Sequence, residues 1–96
     1  MIIRQGDVLF IPVEEIPQGA QFEETRIVAY GEATGHNHKL IGTAEVYSLE
    51  GQLFAKAGSD VTVVHQEHAP LAIEEGLYEI RIQREYTPQG VRQVMD

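Results

Sequence analysis

The stretch LYEIRIQREY, residues 77–86, alternates between apolar and polar side chains with a period of two. Its apolar positions are Tyr78, Ile80 and Ile82, and the residues between them are charged or polar. Successive side chains of a β-strand point to opposite faces of the sheet, so the pattern predicts a strand with one face in a core. This stretch is the strongest sign in the sequence that the fold is built from β-strands.

Short strand-like segments separated by turn residues fill the rest of the chain. The run VLFIPV, residues 8–13, suits a strand covered on both faces, with Pro12 at an edge or at the strand end because proline has no N–H for a ladder. Residues 43–49 and 52–57, joined by Glu50 and Gly51, predict a β-hairpin. Further strand candidates are residues 25–30, 36–41, 61–65 and 71–73. No segment shows sustained helical periodicity with start and stop signals.

About eight short strands at this spacing predict an all-β fold, a small barrel or jelly roll. With 96 residues the chain has no length for a second core, so we expect one domain over 1–96 with a short tail at about 91–96. A domain of this size has a small core for its surface, and its first long strand is apolar on both faces. We therefore expect the protein to associate with itself, as a trimer.

The strongly negative charge of the chain argues against two classes of partner. Fifteen acidic and seven basic residues give a formal net charge of −8, which would repel a nucleic-acid backbone and an anionic membrane. The chain has no cysteine, which fits a reducing compartment. The first residues lack the apolar region of a signal peptide, and no apolar run approaches the roughly 18 residues of a membrane span. We expect a protein that stays where it is synthesised.

All four histidines of the chain lie in two close pairs. His36 and His38 belong to GHNH, residues 35–38, and His65 and His68 belong to HQEH, residues 65–68. On a strand, His36 and His38 would point to the same face and form a two-nitrogen chelate. If the two segments are neighbours in the fold, three or four imidazole nitrogens converge. Such a site favours zinc, iron, nickel or copper.

Two interpretations of these histidines stay open at this point. In the first they bind a transition metal, and a carboxylate such as Glu45 or Glu67 completes the ligand set. In the second they are turn and strand residues that need no cofactor. Glycine, asparagine and histidine all tolerate turn conformations, and His68 could cap a turn ahead of Ala69 and Pro70.

Other signs of catalytic chemistry are sparse. The chain has no cysteine nucleophile, and no serine lies in the context of a nucleophile elbow. The segment 31–35 is too short and too acidic for a phosphate-binding loop. Arg4 and Asp7 are expected to form a local ion pair that pins the N-terminus. The sequence therefore predicts no catalytic residue, and whether the protein is an enzyme stays open.

The two histidine pairs resemble, in part, the motifs of the cupins. Cupins are small β-barrels whose first motif carries H-x-H and whose second carries a further histidine. The resemblance covers about a quarter of the chain. It implies a barrel that uses the paired histidines for metal-dependent catalysis or for binding a small ligand.

A second resemblance covers nearly the whole chain. RQGDVLFIPV, TGHNH, HQEHAPL and GLYEIRIQREYTP together resemble a family of short, mostly uncharacterised proteins in bacterial and bacteriophage genomes. Its occurrence in phages implies one specific possibility, a capsid decoration (cement) protein. Such proteins are often small barrels or jelly rolls that trimerise on the major shell protein.

Two hypotheses of different class result. In the leading one the protein is a non-enzymatic structural module that self-associates and stabilises an assembly such as a phage capsid. In the alternative it is a cupin-like metal-dependent enzyme or ligand-binding barrel. The expected location is the virion or the cytoplasm of the bacterial host, without secretion by a signal peptide.

Overall fold

The computed structural model describes residues 2–30, 36–87 and 90–93, with side chains described over 2–29 and 36–83. A six-stranded antiparallel sheet has the strand order β1-β2-β10-β7-β6-β3. Its members are β1 (Ile3–Gln5), β2 (Val8–Val13), β10 (Gly76–Ile82), β7 (Gln52–Ala57), β6 (Ala44–Leu49) and β3 (Gln21–Glu23). A four-stranded antiparallel sheet has the order β4-β5-β8-β9. Its members are β4 (Ile27–Tyr30), β5 (Asn37–Ile41), β8 (Thr62–Val64) and β9 (Leu71–Ala72).

The predicted all-β class is confirmed, since no helix occurs in the described residues. The two sheets hold ten strands, slightly more than the sequence predicts, and they do not close into a barrel. Strands β11 (Arg84–Thr87) and β12 (Gly90–Gln93) form a separate hairpin, so strand pairing reaches into the segment expected to be a tail. The expectation for residues 31–35 lies outside the described residues. None of the described residues forms a helix long and apolar enough to cross a membrane.

Strand β10 occupies a central position in the larger sheet, between β2 and β7. Tyr78 and Ile80 are 4% and 6% exposed, which confirms the predicted core face. The strand ends at Ile82, earlier than the alternation predicts, and the backbone N–H of Gln83 donates to the Asp7 carbonyl oxygen at 2.7 Å. This bond anchors the turn between β1 and β2 to the end of β10.

Strand β2 pairs with β1 on one side and with β10 on the other. Val8 and Phe10 are fully buried, and Leu9 and Ile11 are half-buried on the opposite face. The pairing of β2 with β1 ends at Phe10. Pro12 therefore lies beyond the part of β2 that pairs with β1. Its position at the strand end is the one that the sequence predicts.

The hairpin of β6 and β7 turns at Glu50 and Gly51, as predicted. Their φ angles are 51° and 81°, and a two-residue turn with both φ values positive matches the right-handed twist of the flanking strands.

Residues of both sheets form one hydrophobic cluster. Val8, Phe10 and Ile80 come from the larger sheet, and Leu40 and Val63 come from the smaller one. The two sheets therefore pack as layers over a common core, and the buried face of β5 and β8 looks into that core.

A second turn joins β5 to β6 and is hydrogen-bonded to Asp60, which is distant in the sequence. Gly42 has a φ of 109°, and the Thr43 N–H and hydroxyl donate to the Asp60 carboxylate at 3.0 and 3.1 Å. The hydrogen bond from the Thr43 N–H has the larger effect and that from the Thr43 hydroxyl the smaller one, and both lower the pKa of Asp60. The turn is thus held by a carboxylate that favours its charged form.

Candidate metal centre

The pairing of β5 with β8 brings the two histidine pairs together. Lys39 lies opposite Val64, and Leu40 lies opposite Val63. Continuing this antiparallel register by one residue places His38 opposite His65, and directly opposed side chains are neighbours in a sheet. Two segments that are 27 positions apart in the chain therefore meet at one end of the smaller sheet.

Alternation along β5 sends His38 into the core. His38 and Leu40 are fully buried, whereas Lys39 and Ile41 on the other face are exposed. His36 lies directly before the strand, and its ring, like that of His38, contacts the His65 ring. A histidine with no exposed surface needs polar partners, because burying an unsatisfied polar group costs free energy.

The four imidazole rings form one histidine cluster, defined as His36, His38, His65 and His68. The ring of His65 is the central one. Its centre lies 4.4 Å from that of His38, 4.6 Å from that of His68 and 5.4 Å from that of His36. The rings of His38 and His68 are stacked with centres 6.1 Å apart. The structure thus brings together all four histidines that the sequence singles out.

Gln5, on β1, fixes the orientation of the His38 ring. The Gln5 amide nitrogen donates to the carbonyl oxygens of Val63 and Ala69 at 3.1 and 2.9 Å. Because both amide hydrogens are used, the amide oxygen is the atom that faces His38 Nδ1, at 2.9 Å. His38 therefore carries a hydrogen on Nδ1 and donates it to Gln5.

The other nitrogen of His38 faces a buried carboxylate. His38 Nε2 lies 3.6 Å from Asp7 Oδ1, and the two side chains are 0% and 3% exposed. This distance exceeds that of a hydrogen bond. Arg4 Nε donates to the Gly6 carbonyl oxygen, the turn at Gly6 directs Asp7 inward against His38, and the ion pair of Arg4 with Asp7 stays a prediction.

His65 is held the opposite way round from His38. Its Nδ1 accepts hydrogen bonds from the backbone N–H groups of Glu67 and His68, at 3.0 and 3.3 Å. A nitrogen that accepts these bonds carries no hydrogen, so neutral His65 carries its hydrogen on Nε2. The turn after β8 therefore selects the tautomer of His65.

The remaining two histidines complete the cluster at its outer side. His36 Nδ1 lies 3.0 Å from Glu67 Oε1, a charge contact that is not aligned as a hydrogen bond. The two side chains are 28% and 56% exposed, so the cluster is open to solvent on this side. His68 Nε2 is buried and has no hydrogen-bond partner within the described part of the chain.

The spacing of these groups suits a metal ion. Two imidazoles on a tetrahedral ion have ring centres about 5 Å apart, and a nitrogen and an oxygen on that ion are about 3.4 Å apart. The ring separations of 4.4 to 6.1 Å bracket the first value, and the distance of 3.6 Å from His38 Nε2 to Asp7 Oδ1 is slightly longer than the second. Among the side chains that the structure describes, no three potential metal ligands are already gathered around one point. Binding by three ligands would thus require at least one imidazole to rotate.

The carboxylates differ from those that the sequence suggests. Glu67 does contact the cluster, through His36. Glu45 lies on β6 of the other sheet, where it accepts a hydrogen bond from the Tyr47 hydroxyl at 2.8 Å. Sequence reasoning missed Gln5 and Asp7. A local signal existed for Gln5, because alternation with Ile3 puts this amide on the inner face of β1.

A family model covers the entire cluster. It is described as a domain of unknown function, DUF8820, and matches residues 4–83. The chain belongs to the DUF8820 family. The matched range contains Gln5, Asp7 and all four histidines. Searches of curated proteins and of solved structures found no match.

Membership in DUF8820 confirms the resemblance to an uncharacterised family and assigns no activity. The bacterial and phage side of that resemblance, and the likeness to cupins, stay predictions.

Proposed function

We propose that the protein is a metal-binding β module that holds one first-row transition-metal ion at the histidine cluster and Asp7. The observation that supports this proposal is the arrangement of Gln5, His38 and Asp7. Histidines that bind metals usually donate their other ring N–H to a fixed acceptor, which sets the tautomer and the ring orientation. Gln5 supplies such an acceptor, and the Nε2 of neutral His38 faces Asp7 Oδ1 at 3.6 Å, where an ion between the two would be bound by both.

The donor set favours a particular class of ion. Imidazole nitrogens with one carboxylate suit zinc, iron, nickel or copper, whereas magnesium and calcium prefer oxygen ligands. An ion with an open coordination position acts as a Lewis acid toward a small ligand. Access for such a ligand exists on the side of His36 and Glu67, where the side chains reach solvent.

Metal analysis of the purified protein tests the proposal. Protein prepared without chelator should contain close to one transition-metal ion per chain, or should take up one on addition of zinc. His38→Ala and Asp7→Asn should each reduce the content by at least about tenfold, because each removes a buried donor. Asp60→Asn is the matched control, since this aspartate serves the turn at Thr43.

The outcome that contradicts the proposal is equally specific. A folded wild-type protein that contains no metal and binds no added zinc, iron, nickel or copper at micromolar concentration would show that the cluster serves another purpose. Circular dichroism of each variant must accompany the metal analysis, because a misfolded variant would also lose metal.

A second candidate is the structural module of a larger assembly, such as a decoration protein on a phage shell. The observation that favours it is Phe22, which is 55% exposed on the edge strand β3 and contacts Tyr47 edge-on. Exposed aromatics are typical anchors of protein interfaces, and a free strand edge can pair with another chain. This role does not require the metal.

Light scattering at micromolar concentration tests self-association. The proposal expects a trimer for the wild-type protein, a monomer for Phe22→Ser and an unchanged trimer for Lys56→Ser, a control at an exposed position of β7. Co-sedimentation with assembled shells then tests the partner. A monomeric wild-type protein that does not bind shells would contradict this candidate.

A further inference from the structure

One imidazole of the histidine cluster, that of His65, is held in a tautomer that does not suit metal binding through Nε2. The backbone N–H groups of Glu67 and His68 both point at His65 Nδ1, which must therefore be the acceptor nitrogen. An imidazole that binds a metal through Nε2 normally carries its hydrogen on Nδ1. For His65 that tautomer would put an N–H against two backbone N–H groups.

His38 shows the contrasting case in the same cluster. Its Nδ1 donates its hydrogen to Gln5, so in neutral His38 the lone pair is on Nε2. The rings of His38 and His65 are only 4.4 Å apart, and their protonated nitrogens are opposite ones. The two histidines therefore offer different chemistry at almost the same place: His38 offers an acceptor nitrogen and His65 offers a donor N–H.

Building on the proposed metal site, we infer that His65 stays outside the coordination shell and acts as an Nε2–H hydrogen-bond donor. The protein ligands are then His38, His68 and Asp7: the ring centres of His38 and His68 lie 6.1 Å apart, and His38 Nε2 lies 3.6 Å from Asp7 Oδ1. His68 fits this set because its Nε2 is buried without a hydrogen-bond partner among the described residues. Three such ligands leave the fourth position of a tetrahedral zinc ion open, on the side of His36 and Glu67 where the cluster reaches solvent. His65 is thus a positioning residue, although it is the central ring of the cluster.

The tautomers can be read directly by long-range proton–nitrogen NMR of the imidazole rings. In the metal-free protein His65 should carry its hydrogen on Nε2, and this pattern should persist when one equivalent of zinc is added. A shift of the His65 hydrogen to Nδ1 on zinc binding would overturn the inference, because it would mark His65 as an Nε2 ligand.

The variant His65→Asn tests the roles of the two ring nitrogens of His65 separately. The amide oxygen of asparagine can take the place of Nδ1, so His65→Asn keeps an acceptor for Glu67 and His68 and removes Nε2. This variant should still bind one zinc ion, with a Kd raised by no more than the about 10- to 100-fold typical of a lost positioning residue, whereas His38→Ala, which removes a ligand, should bind no zinc at micromolar concentration. A folded His65→Asn that loses zinc as completely as His38→Ala would overturn the inference.

Failure of the metal proposal and failure of this inference give different results. If the wild-type protein binds no zinc, the metal proposal fails, and the NMR tautomer of the metal-free protein decides whether His65 is a donor at Nε2. Hydrogen on Nε2 supports that assignment, and hydrogen on Nδ1 refutes it.

Discussion

His38 Nδ1 donates a hydrogen bond of 2.9 Å to Gln5 Oε1, although the two residues are 33 positions apart in the chain. The same glutamine uses its amide nitrogen to hold the carbonyl oxygens of Val63 and Ala69. Gln5 therefore connects β1, β5 and the segment that carries His65 and His68. One neutral side chain in the first strand sets the geometry of the candidate metal centre.

Gln5→Leu should both destabilise the fold and weaken metal binding. The free energy of unfolding should fall by about 1–3 kcal/mol, because the Val63 carbonyl and the His38 N–H would lose their buried partner. Zinc affinity should fall about 10- to 100-fold, because His38 would lose the group that fixes its tautomer. Urea denaturation and zinc titration measure the two effects. Gln52→Leu, at an exposed glutamine, is the control, and equal losses in both variants would argue against the role of Gln5.

Zinc should stabilise the protein against unfolding if the histidine cluster and Asp7 bind it. At a free zinc concentration of 100 times Kd, the free energy of unfolding should rise by about 2.7 kcal/mol, since the ion binds only the folded state. Excess chelator should reverse the gain, and Asp7→Asn should abolish it. Thermal melts with and without zinc make the measurement. A gain of equal size in Asp7→Asn would place the bound ion elsewhere.

Ile80→Ala should be among the costly substitutions in the larger sheet. Ile80 is 6% exposed in the centre of β10, and truncating a buried aliphatic side chain costs about 2–5 kcal/mol. Lys56→Ala, at an exposed position of the neighbouring strand β7, should cost less than about 0.5 kcal/mol. Denaturation midpoints with a common m-value compare the two, and similar losses would refute the assignment of the faces.

Two glycines with positive φ should differ in their tolerance of alanine. Gly51→Ala should cost about 1–2 kcal/mol, the strain of a left-handed backbone alone, since nothing lies within 4 Å of its new Cβ. Gly42→Ala should cost about 1–3 kcal/mol more, because its Cβ would collide with the carbonyl oxygen of Asp60. Paired urea titrations test the difference. Equal costs would mean that the turn at Gly42 can move away.

Asp60 should contribute to acid sensitivity. Hydrogen bonds from Thr43 lower its pKa below the ordinary value of 3.8, so folding favours the charged form. Its contribution to stability is present above about pH 3.8 and is lost as the pH falls through the lowered folded pKa. Urea denaturation of the wild type and of Asp60→Asn between pH 5 and 2.5 should converge as the pH falls. A constant difference over that range would contradict the assignment.

The sequence is informative where structure follows from local alternation and uninformative where it follows from strand pairing. The period-two pattern at Tyr78 and Ile80 predicts the core face of β10, and Glu50 and Gly51 predict the hairpin turn. The H-x-H spacing indicates that His36 and His38 share a face. Their meeting with His65 depends on the register of β5 and β8, which no local pattern encodes.

The roles of Gln5 and Asp7 are even harder to predict from the sequence. Asp7 follows a glycine in a charged-looking segment, and the neighbouring Arg4 offers a more obvious partner. Only the two-residue turn between β1 and β2, with Gly6 at a φ of 61°, directs the carboxylate inward. The role of Gln5 depends on contacts with residues 33 to 64 positions away.

The long reach of Gln5 has a consequence for the order of folding. The contacts of Gln5 with Val63 and Ala69 close loops of 58 and 64 positions. Closing a long loop costs more conformational entropy than forming a local hairpin, so such contacts tend to form late. The hairpin of β6 and β7 can form on its own, whereas the histidine-bearing segments reach their final positions only once the first strand has docked. A chain emerging from the ribosome would therefore present its histidines separately. The proposed metal centre would acquire its geometry only when folding is complete.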